Sequence, residues 1–259
     1  MQLGQLSARP AAGVGAFGGI AMKTNERPIG PVVAFAAAEL PTEETLIGRY
    51  VRMEKIDLEK HGPALWAQMA GEDHLWDYLY EAAPKSEAEF LAGLSVSVGR
   101  ADWSGYAVCL PDGSPVGYAF YLNIVPAMGT IEVGNINFSP ALQRTPAATE
   151  AMFLMMQNAF ALGYRRYEWK CNALNAPSRR AAQRLGFSWE GIFRQHLIVK
   201  GRNRDTAWLA MTDSEWPALE GAFQAWLAPD NFDAVGNQRQ ALRELTGPCR
   251  VASDPNQTD

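Results

Sequence analysis

The sequence has few cysteines, no long hydrophobic run and no excess of basic residues. The three cysteines among its 259 residues are odd in number and far apart, which indicates neither a disulfide framework nor a CxxC zinc site. No apolar run approaches the roughly 20 residues that a membrane-spanning helix needs, so no membrane partner is expected. The formal net charge of −5 argues against a nucleic-acid partner, because phosphate contacts require a concentrated basic surface.

The few cysteines and histidines also indicate the cellular compartment and whether a metal is bound. A reducing cytoplasm is the simplest compartment for cysteines without a disulfide pattern, and we expect a cytoplasmic protein. The three histidines, His61, His74 and His196, share no metal-ligand spacing, so no metal is expected. What the chain does contain is a hydrophobic fraction of 47%, which is ample for a packed core.

The first 45 residues are rich in glycine, proline and alanine and show little apolar periodicity, which predicts a flexible N-terminal arm, 1–45. Within it, Gly13, Gly15 and Gly18 match the dinucleotide-binding pattern GxGxxG. That pattern functions only after a strand and at the start of a helix, and neither is indicated here. We therefore interpret the match as part of the arm.

The remaining periodicity predicts a mixed α/β protein. The stretch "IGRYVRMEKI" alternates as one strand, 47–56. Two helical segments follow, and after them three strands typical of an antiparallel meander, at 105–110, 116–125 and 130–138. A helix from about Thr145 to Gly163 then leads to a strand at 166–171, and such a strand–helix–strand connection requires a parallel crossover.

The start of that helix has only small side chains, in "SPALQRTPAATEAM", residues 139–152. With Thr145 as N-cap, Pro146 falls at the first helical position, where its missing N–H is no loss. The backbone N–H groups of Ala147, Ala148 and Thr149 then form an anion site at the positive end of the helix dipole. An ordinary helix cap is the alternative interpretation.

A second segment supplies an independent pattern, "NALNAPSRRAAQRLGF", residues 172–187. Together the two segments resemble the GNAT superfamily of acyl-CoA-dependent N-acyltransferases, and within it the ribosomal-protein N-terminal acetyltransferases. That superfamily grips the coenzyme A pyrophosphate with a [Gln/Arg]-x-x-Gly-x-[Gly/Ala] loop and opens the next helix with Asn-x-x-Ser or Asn-x-x-Ala. The matching positions are Gln143, Pro146 and Ala148 for the loop, and Asn175, Ser178, Gly186 and Phe187 for the second pattern. Pro146 departs from the family glycine.

The resemblance implies a fold and a domain organisation. The fold is α/β (α+β): a mixed, mostly antiparallel sheet with a central splayed parallel strand pair, flanked by helices. The GNAT domain would cover 46–212. A C-terminal helical extension, 213–247, and a disordered tail, 248–259, would follow.

The resemblance also implies acetyl-CoA as cosubstrate. Pantetheine would be bound by the end of the first splayed strand, Asn137, Phe138 and Ser139, and by Asn175 and Ser178. The pyrophosphate would be bound by side chains of Gln143, Arg144 and Thr145 and by the helix start at Ala147, Ala148 and Thr149.

Direct attack of an amine on the thioester, in a ternary complex, is the mechanism the family implies. Such a reaction needs a base for the amine and an acid for the departing thiolate. Glu132 is the candidate base, directly or through water, although a solvent-facing strand residue is the alternative. Ser178 is the candidate acid, because Ala182 occupies the position where many family members have tyrosine; an ordinary helix-start serine is the alternative.

A thiol intermediate on Cys171 is a rival scheme, but a buried strand cysteine is the preferred interpretation. The acceptor would bind near "GEDHLWDYLYE", where Asp73, Trp76 and Tyr78 combine acidic groups with aromatic faces. An amphipathic helix with a wet acidic face explains the same segment. The acceptor, a protein N-terminus or a small-molecule amine, stays open, as does a homodimer formed through the C-terminal helix.

Two other functions are weighed. A coenzyme A-binding sensor without turnover is suggested by Pro146 and by the missing tyrosine. A nucleotide-phosphate enzyme is disfavoured because the sequence contains no GxxxxGK[ST] motif.

Overall fold

The computed structural model describes residues 29–257. The chain divides into two units, Met1–Phe35 and Ala36–Asp259, and every helix and strand below belongs to the second unit. The GxGxxG match at 13–18 lies outside the described residues. So does most of the predicted N-terminal arm.

One eight-stranded sheet forms the centre of the second unit, in the order β1-β2-β3-β4-β5-β6-β8-β7. All neighbouring strands are antiparallel except β5 and β6, which are parallel. The strands are β1 Thr45–Ile47, β2 Arg52–Lys55, β3 Ser104–Cys109, β4 Pro115–Val125, β5 Thr130–Phe138, β6 Arg166–Asn172, β7 Ser188–Val199 and β8 Arg202–Thr212. The predicted mostly antiparallel sheet with one central parallel pair is confirmed.

In the described part of the chain, six α-helices flank the sheet. They are α1 Leu58–Met69, α2 Glu87–Val98, α3 Pro146–Ala161, α4 Ala176–Arg184, α5 Trp216–Leu227 and α6 Leu242–Thr246. Among the helices of residues 29–257, none is long and apolar enough to cross a membrane.

The predicted strand 47–56 is wrong, because the chain reverses inside it to form the β1–β2 hairpin. The amide of Gly48 donates to the carbonyl of Val51 at 2.9 Å. The carboxylate of Glu150, on α3, accepts hydrogen bonds from the amides of Arg49, Tyr50 and Val51. A partner about 100 residues away therefore holds the reversal, and period-two alternation cannot reveal it.

The sheet has two distinct faces. On the first, which we call the front face, α1 and α2 pack over Tyr118, Phe120 and Leu122 of β4. On the second, the back face, the Tyr121 hydroxyl donates to the Met155 carbonyl of α3 at 2.5 Å. Because side chains alternate along a strand, the face of each site residue follows from the register.

The C-terminal helix α5 packs against α3 of its own chain. The rings of Trp216 and Phe160 stack with centroids 4.8 Å apart, and those of Phe223 and Phe153 stack at 5.2 Å. This contact covers the apolar side of α5 that the sequence left open.

The segment after Pro248, for which the sequence indicated disorder, is attached to the domain as far as it is described. Asp254 is 1% exposed and accepts hydrogen bonds from Nε and Nη2 of Arg179, each at 2.6 Å. Arg179 lies on α4, so the buried ion pair ties residues 250–257 to that helix. A composition-based expectation of disorder misses such a single specific partner.

Candidate functional site

The parallel strands β5 and β6 pair only over their first four residues. The register runs from Thr130 opposite Arg166 to Val133 opposite Trp169 and ends there. Beyond that level both strands continue, to Phe138 and Asn172, while they separate. The β6-facing backbone groups of the last part of β5 are thereby left for another extended partner, since a strand edge offers unpaired N–H and C=O groups. We call this opening the strand gap.

The helix start that follows β5 has the predicted cap. Thr145 is the N-cap of α3: its Oγ1 accepts from the Ala148 amide at 3.2 Å and donates to the Leu142 carbonyl at 2.6 Å. Pro146 occupies the first helical position, where its missing N–H costs no hydrogen bond.

The cap changes which amides are open to an anion. The Ala148 amide is bonded to Thr145, and Thr149 is at the position whose amide bonds the N-cap carbonyl in a regular helix. The Thr149 hydroxyl also accepts from Nη1 of Arg184, at 3.0 Å. Ala147 is left as the first-turn amide without an intrahelical acceptor, and its own side chain is small. Of the three backbone amides that the sequence predicted would bind an anion, the structure thus leaves that of Ala147 available.

The side chains that flank the cap also differ in whether they are free to contact an anion. Nε2 of Gln143 donates to the Phe138 carbonyl at 2.8 Å, which closes the loop on itself. Arg144 is exposed and has a left-handed backbone, with φ of 61°. Because its guanidinium projects from an exposed position next to Thr145, Arg144 is the cation best placed to meet an anion at this helix start.

The start of α4 orders the next group of predicted residues. Asn175 is the N-cap, and its Oδ1 accepts from the Ser178 amide at 3.1 Å. The Ser178 Oγ accepts from Nε1 of Trp169 at 3.0 Å. A hydroxyl that accepts one hydrogen bond keeps its own O–H to donate, and the Ser178 side chain also lies within hydrogen-bonding reach of the Cys171 thiol, whose pKa it lowers against the larger effect of burial.

Cys171 lies on the back face and is 5% exposed. Burial raises the pKa of its thiol, which disfavours the thiolate that a nucleophile needs. The imidazole of His196 is bonded instead to Thr206, with Nδ1 and Oγ1 3.0 Å apart. Since Thr206 pairs with Asn172 and therefore faces the front, His196 is not placed to act as a base for Cys171 on the back face. The geometry fits the buried-cysteine interpretation.

Glu132 lies on the front face, beside Leu122 in the register, and is 6% exposed. Its Oε2 accepts from Nζ of Lys170 at 2.8 Å and from Nδ2 of Asn123 at 2.6 Å. Burial raises the pKa of Glu132, against the opposing effect of the Lys170 charge. The alternative of a solvent-facing strand residue does not describe it.

Glu132 and Ser178 reach the strand gap from opposite faces. Glu132 pairs with Glu168 one residue before the register ends, with its side chain on the front face. Ser178 is bonded to Trp169, whose ring packs against Phe187 on the back face at a centroid distance of 5.4 Å. The two candidate catalytic groups therefore flank the gap and do not share a side of it.

The predicted acceptor residues are dispersed. Trp76 is 5% exposed and packs edge-on against Phe90, with centroids 6.5 Å apart, so it belongs to the core under α2. Asp73 is exposed and is bonded to Lys85 at 2.6 Å. Tyr78 is 38% exposed, and its hydroxyl donates to the Leu174 carbonyl at 3.3 Å. The segment is a 3₁₀ turn, Asp73–Trp76, and an amphipathic helix is absent from it.

Tyr78 also lines a front-face pocket of about 340 Å³ between this segment and the β7–β8 hairpin. We call it the hairpin pocket. Its lining includes Asn172, at the end of β6, and three residues of the basic cluster "KGRNR", 200–204: Lys200, Arg202 and Arg204. Alternation along β8 was visible in the sequence, but nothing in it showed which segment covers that face.

A metal-type cluster, Glu54, His61 and Cys109, also occurs in the described part of the chain, with its ligand-type atoms within 4.8 Å of one another. Nδ1 of His61 accepts from the Asp57 amide at 3.0 Å, so the proton is on Nε2, which lies 3.2 Å from the Glu54 carboxylate. Burial raises the pKa of Cys109 to about 11. His61 and Glu54 are thus within hydrogen-bonding distance of one another, and the raised pKa of Cys109 favours its thiol form.

Comparison with known proteins decides the family. The sequence model of the acetyltransferase (GNAT) domain matches residues 51–188, more than half of the chain. The chain belongs to the GNAT family of acetyltransferases. This GNAT protein is accordingly an acyl-CoA-dependent acetyltransferase, and the family assignment made from its motifs is confirmed.

Solved structures agree with the assignment. A GCN5-related N-acetyltransferase from Brucella melitensis is 47% identical, with a TM-score of 0.80, and the match covers 83% of this chain and 99% of that one. A probable GNAT-family acetyltransferase from Chromobacterium violaceum ATCC 12472 is 42% identical, with a TM-score of 0.71, over 74% of this chain and 98% of that one. A search of curated proteins found no match.

Ribosomal-protein acetyltransferases are among the structural neighbours as well. RimL, a ribosomal L7/L12 α-N-protein acetyltransferase solved in complex with coenzyme A, is 20% identical, with a TM-score of 0.57, over 66% of this chain and 99% of that one. At that identity the likeness shows the fold alone.

Proposed function

We propose that this GNAT protein transfers an acetyl group from acetyl-CoA to a primary amine by direct attack in a ternary complex. The observation that carries the proposal is the strand gap, with a capped helix start following β5 and a buried carboxylate on the front face. Acetyl-CoA approaches from α3, and the amine approaches from the front face. Within the described residues all three cysteines are free, which suits the reducing cytoplasm we assign to it.

The residues around the gap fit coenzyme A. The open edge of β5 suits the amide groups of pantetheine, and the Ala147 amide with the Arg144 guanidinium suits the pyrophosphate. Two further polar atoms support the fit: Oγ of Ser139 and Oδ1 of Asn137 are buried and have no hydrogen-bond partner within residues 29–257. Buried polar atoms normally have partners, so their state is consistent with a ligand that completes them.

The reaction then needs a base for the attacking nitrogen and a hydrogen-bond donor for the sulfur that leaves as a thiolate. The amine nitrogen bonds to the acetyl carbon, the carbon–sulfur bond breaks, and the nitrogen loses a proton to Glu132, directly or through water. Ser178 donates a hydrogen bond to the sulfur as negative charge develops there. Lys170 keeps Glu132 in place on the front face.

A coenzyme A-binding protein without turnover is the second candidate. Ala182 is fully buried at the position where a tyrosine acid would stand, and Pro146 removes one amide from the helix start. Such a protein would bind acetyl-CoA and release no thiol with any amine.

The experiment that tests the proposal measures free thiol released from acetyl-CoA with a panel of amines: peptides with free N-termini, amino acids and polyamines. We expect release that depends on the amine, together with mass spectra that show acetylated amine and an unmodified protein. Coenzyme A binding without release for every amine would support the second candidate. An acetyl adduct on the protein before amine is added would overturn direct transfer.

A further inference from the structure

Arg204 is a buried cation, and two nitrogen atoms of its guanidinium have no hydrogen-bond partner among the described residues. It lies on β8 and is 7% exposed, and its Nε and Nη1 atoms are buried without a partner among the described residues. The ring of Tyr80 covers one face of the guanidinium, 4.6 Å from the ring centroid. Stacking stabilises the face but leaves the N–H donors at the edge unsatisfied, and unsatisfied buried donors are destabilising.

Arg204 belongs to a wall of the hairpin pocket. Among the residues that line the pocket, Lys200, Arg202 and Arg204 are cationic, whereas Asp77 is acidic. This local excess of positive charge occurs in a chain with a net charge of −5. Nζ of Lys200 donates to the Trp76 carbonyl at 2.6 Å, which fixes the hairpin against the opposite wall. The pocket therefore offers a preformed site for an anion.

The position of Arg204 along β8 relates that anion to the strand gap. Trp208 pairs with Lys170, and Thr206 pairs with Asn172, so both lie on the front face with Arg204. Nε1 of Trp208 is a further buried donor without a partner in the part of the chain that the structure describes. From Trp208 to Arg204 the strand advances four residues, about 13 Å.

We infer that Arg204 determines specificity for an amine acceptor that carries a carboxylate about 13 Å from the reacting nitrogen. The inference rests on the proposed function, since it assigns the acceptor of that same gap. The amine lies at the level of Lys170, the body of the acceptor follows β8, and the carboxylate pairs with the guanidinium of Arg204. The α3 helix start is on the other side of the sheet, so the coenzyme A phosphates do not use this pocket.

The test uses two series of acceptors that differ in the source of the carboxylate. The first series is C-terminally amidated peptides with Asp at the second, third or fourth position, each matched with the Asn peptide. The second is unbranched ω-amino carboxylates of increasing length, each matched with its primary amide. We expect kcat/KM to be about ten-fold or more higher for the acid than for its amide once the carboxylate reaches Arg204. The series in which that preference appears identifies the source.

Variants connect the preference to the residue. Arg204→Gln removes the charge and is expected to abolish the acid-over-amide preference while the affinity for coenzyme A is unchanged. Arg194→Gln is the matched control: it removes the same charge from the same hairpin at an exposed position outside the pocket lining, and it should keep the preference. If Arg204→Gln does not fold, Arg202→Gln, at an exposed position in the lining, should reduce the preference instead.

The outcomes separate the two proposals. If no amine is acetylated, the proposed function fails. If the wild-type protein acetylates amines but prefers no acid in either series, or if Arg204→Gln keeps the preference, the function stands and the inference about Arg204 is overturned.

Discussion

The Nζ atom of Lys170 lies 2.8 Å from Oε2 of Glu132, on the face of the sheet where we propose that the amine approaches. The same ammonium is 2.8 Å from Oε2 of Glu168. Burial opposes the charge of Lys170, but the two carboxylates outweigh it and raise the pKa of the lysine above its usual value. Lys170 therefore stays charged and holds two carboxylates that differ in basicity.

Glu132→Gln is expected to lower kcat/KM by about 10²-fold or more, as loss of a general base does. Burial raises the pKa of Glu132 above the ordinary 4.5, so wild-type activity should fall as pH decreases through a value above 4.5, where Glu132 gains a proton. The variant should lack that acid limb. The measurement is kcat/KM against pH with one acceptor, so that the titration of the amine is common to both proteins.

Glu168→Gln is the control for this pH profile. Burial would raise the pKa of Glu168, but hydrogen bonds from Arg166 and Lys170 outweigh it and lower that pKa. Glu168 therefore remains ionised where Glu132 is protonated, and the acid limb should persist in Glu168→Gln. If the acid limb disappeared in Glu168→Gln, the limb would report the titration of Glu168, and Glu132 would not be the base.

Arg144→Glu is expected to weaken coenzyme A binding by about ten-fold or more, since it replaces a cation by an anion beside the α3 helix start. The side chain is exposed, so the fold should tolerate the change. Calorimetry with coenzyme A measures the effect. Arg239→Glu makes the same charge change at another exposed position and should bind normally; equal affinity for both variants would contradict the assignment of Arg144.

Ser178→Ala is expected to lower kcat about ten-fold or more with little change in coenzyme A affinity, because one donor to the developing thiolate is lost. The substitution also leaves Nε1 of Trp169 without its acceptor. Trp169→Phe separates the effects, because it removes the same hydrogen bond but keeps the hydroxyl. A loss of kcat in Trp169→Phe as large as that in Ser178→Ala would make Ser178 a purely structural residue.

Glu150→Gln is expected to lower the free energy of unfolding by about 3 kcal/mol, because three backbone amides lose a charged acceptor. For a domain of this size that corresponds to a decrease in Tm of about 6–12 °C. Thermal denaturation measures it, and Glu59→Gln, an exposed neutralisation on α1, is the control. A Tm equal to that of the control would mean that the β1–β2 hairpin does not depend on Glu150.

Asp254→Ala tests the attachment of the C-terminal segment. Removing one partner of a buried ion pair leaves the other charge buried and unpaired, which lowers the free energy of unfolding by about 3–5 kcal/mol. We expect a lower Tm and faster proteolysis after residue 250, with α4 affected because Arg179 lies on it. Unchanged proteolysis would indicate that the segment is held by other contacts.

Much of the fold was predictable because local rules agreed with one another. Thr145 as N-cap and Pro146 at the first helical position follow from cap chemistry, and the parallel crossover follows from strand–helix–strand order. The strand predicted at 47–56 failed for the opposite reason. Its reversal depends on Glu150, which is distant in sequence, and local alternation carries no information about such a partner.

The site was predictable only where a motif marks it. Asn175 and Ser178 stand where the family pattern puts them, and their cap geometry follows from it. Glu132 was ambiguous, since alternation fits a buried or an exposed strand residue; the packing of Leu122 and Lys170 resolves it. The burial of Arg204 could not be predicted from its neighbours in the sequence, because it comes from Tyr80, more than 120 residues earlier in the chain.

In the mechanism we propose, the placement of Glu132 and Ser178 on opposite faces lets the two substrates approach one reaction centre from opposite sides of the sheet. The acetylated amine can leave from the front face while the coenzyme A product is still bound from the side of α3. Neither substrate has to pass the other, so binding in either order is sterically open. A single inhibitor that imitates both substrates would therefore have to pass through the strand gap between β5 and β6.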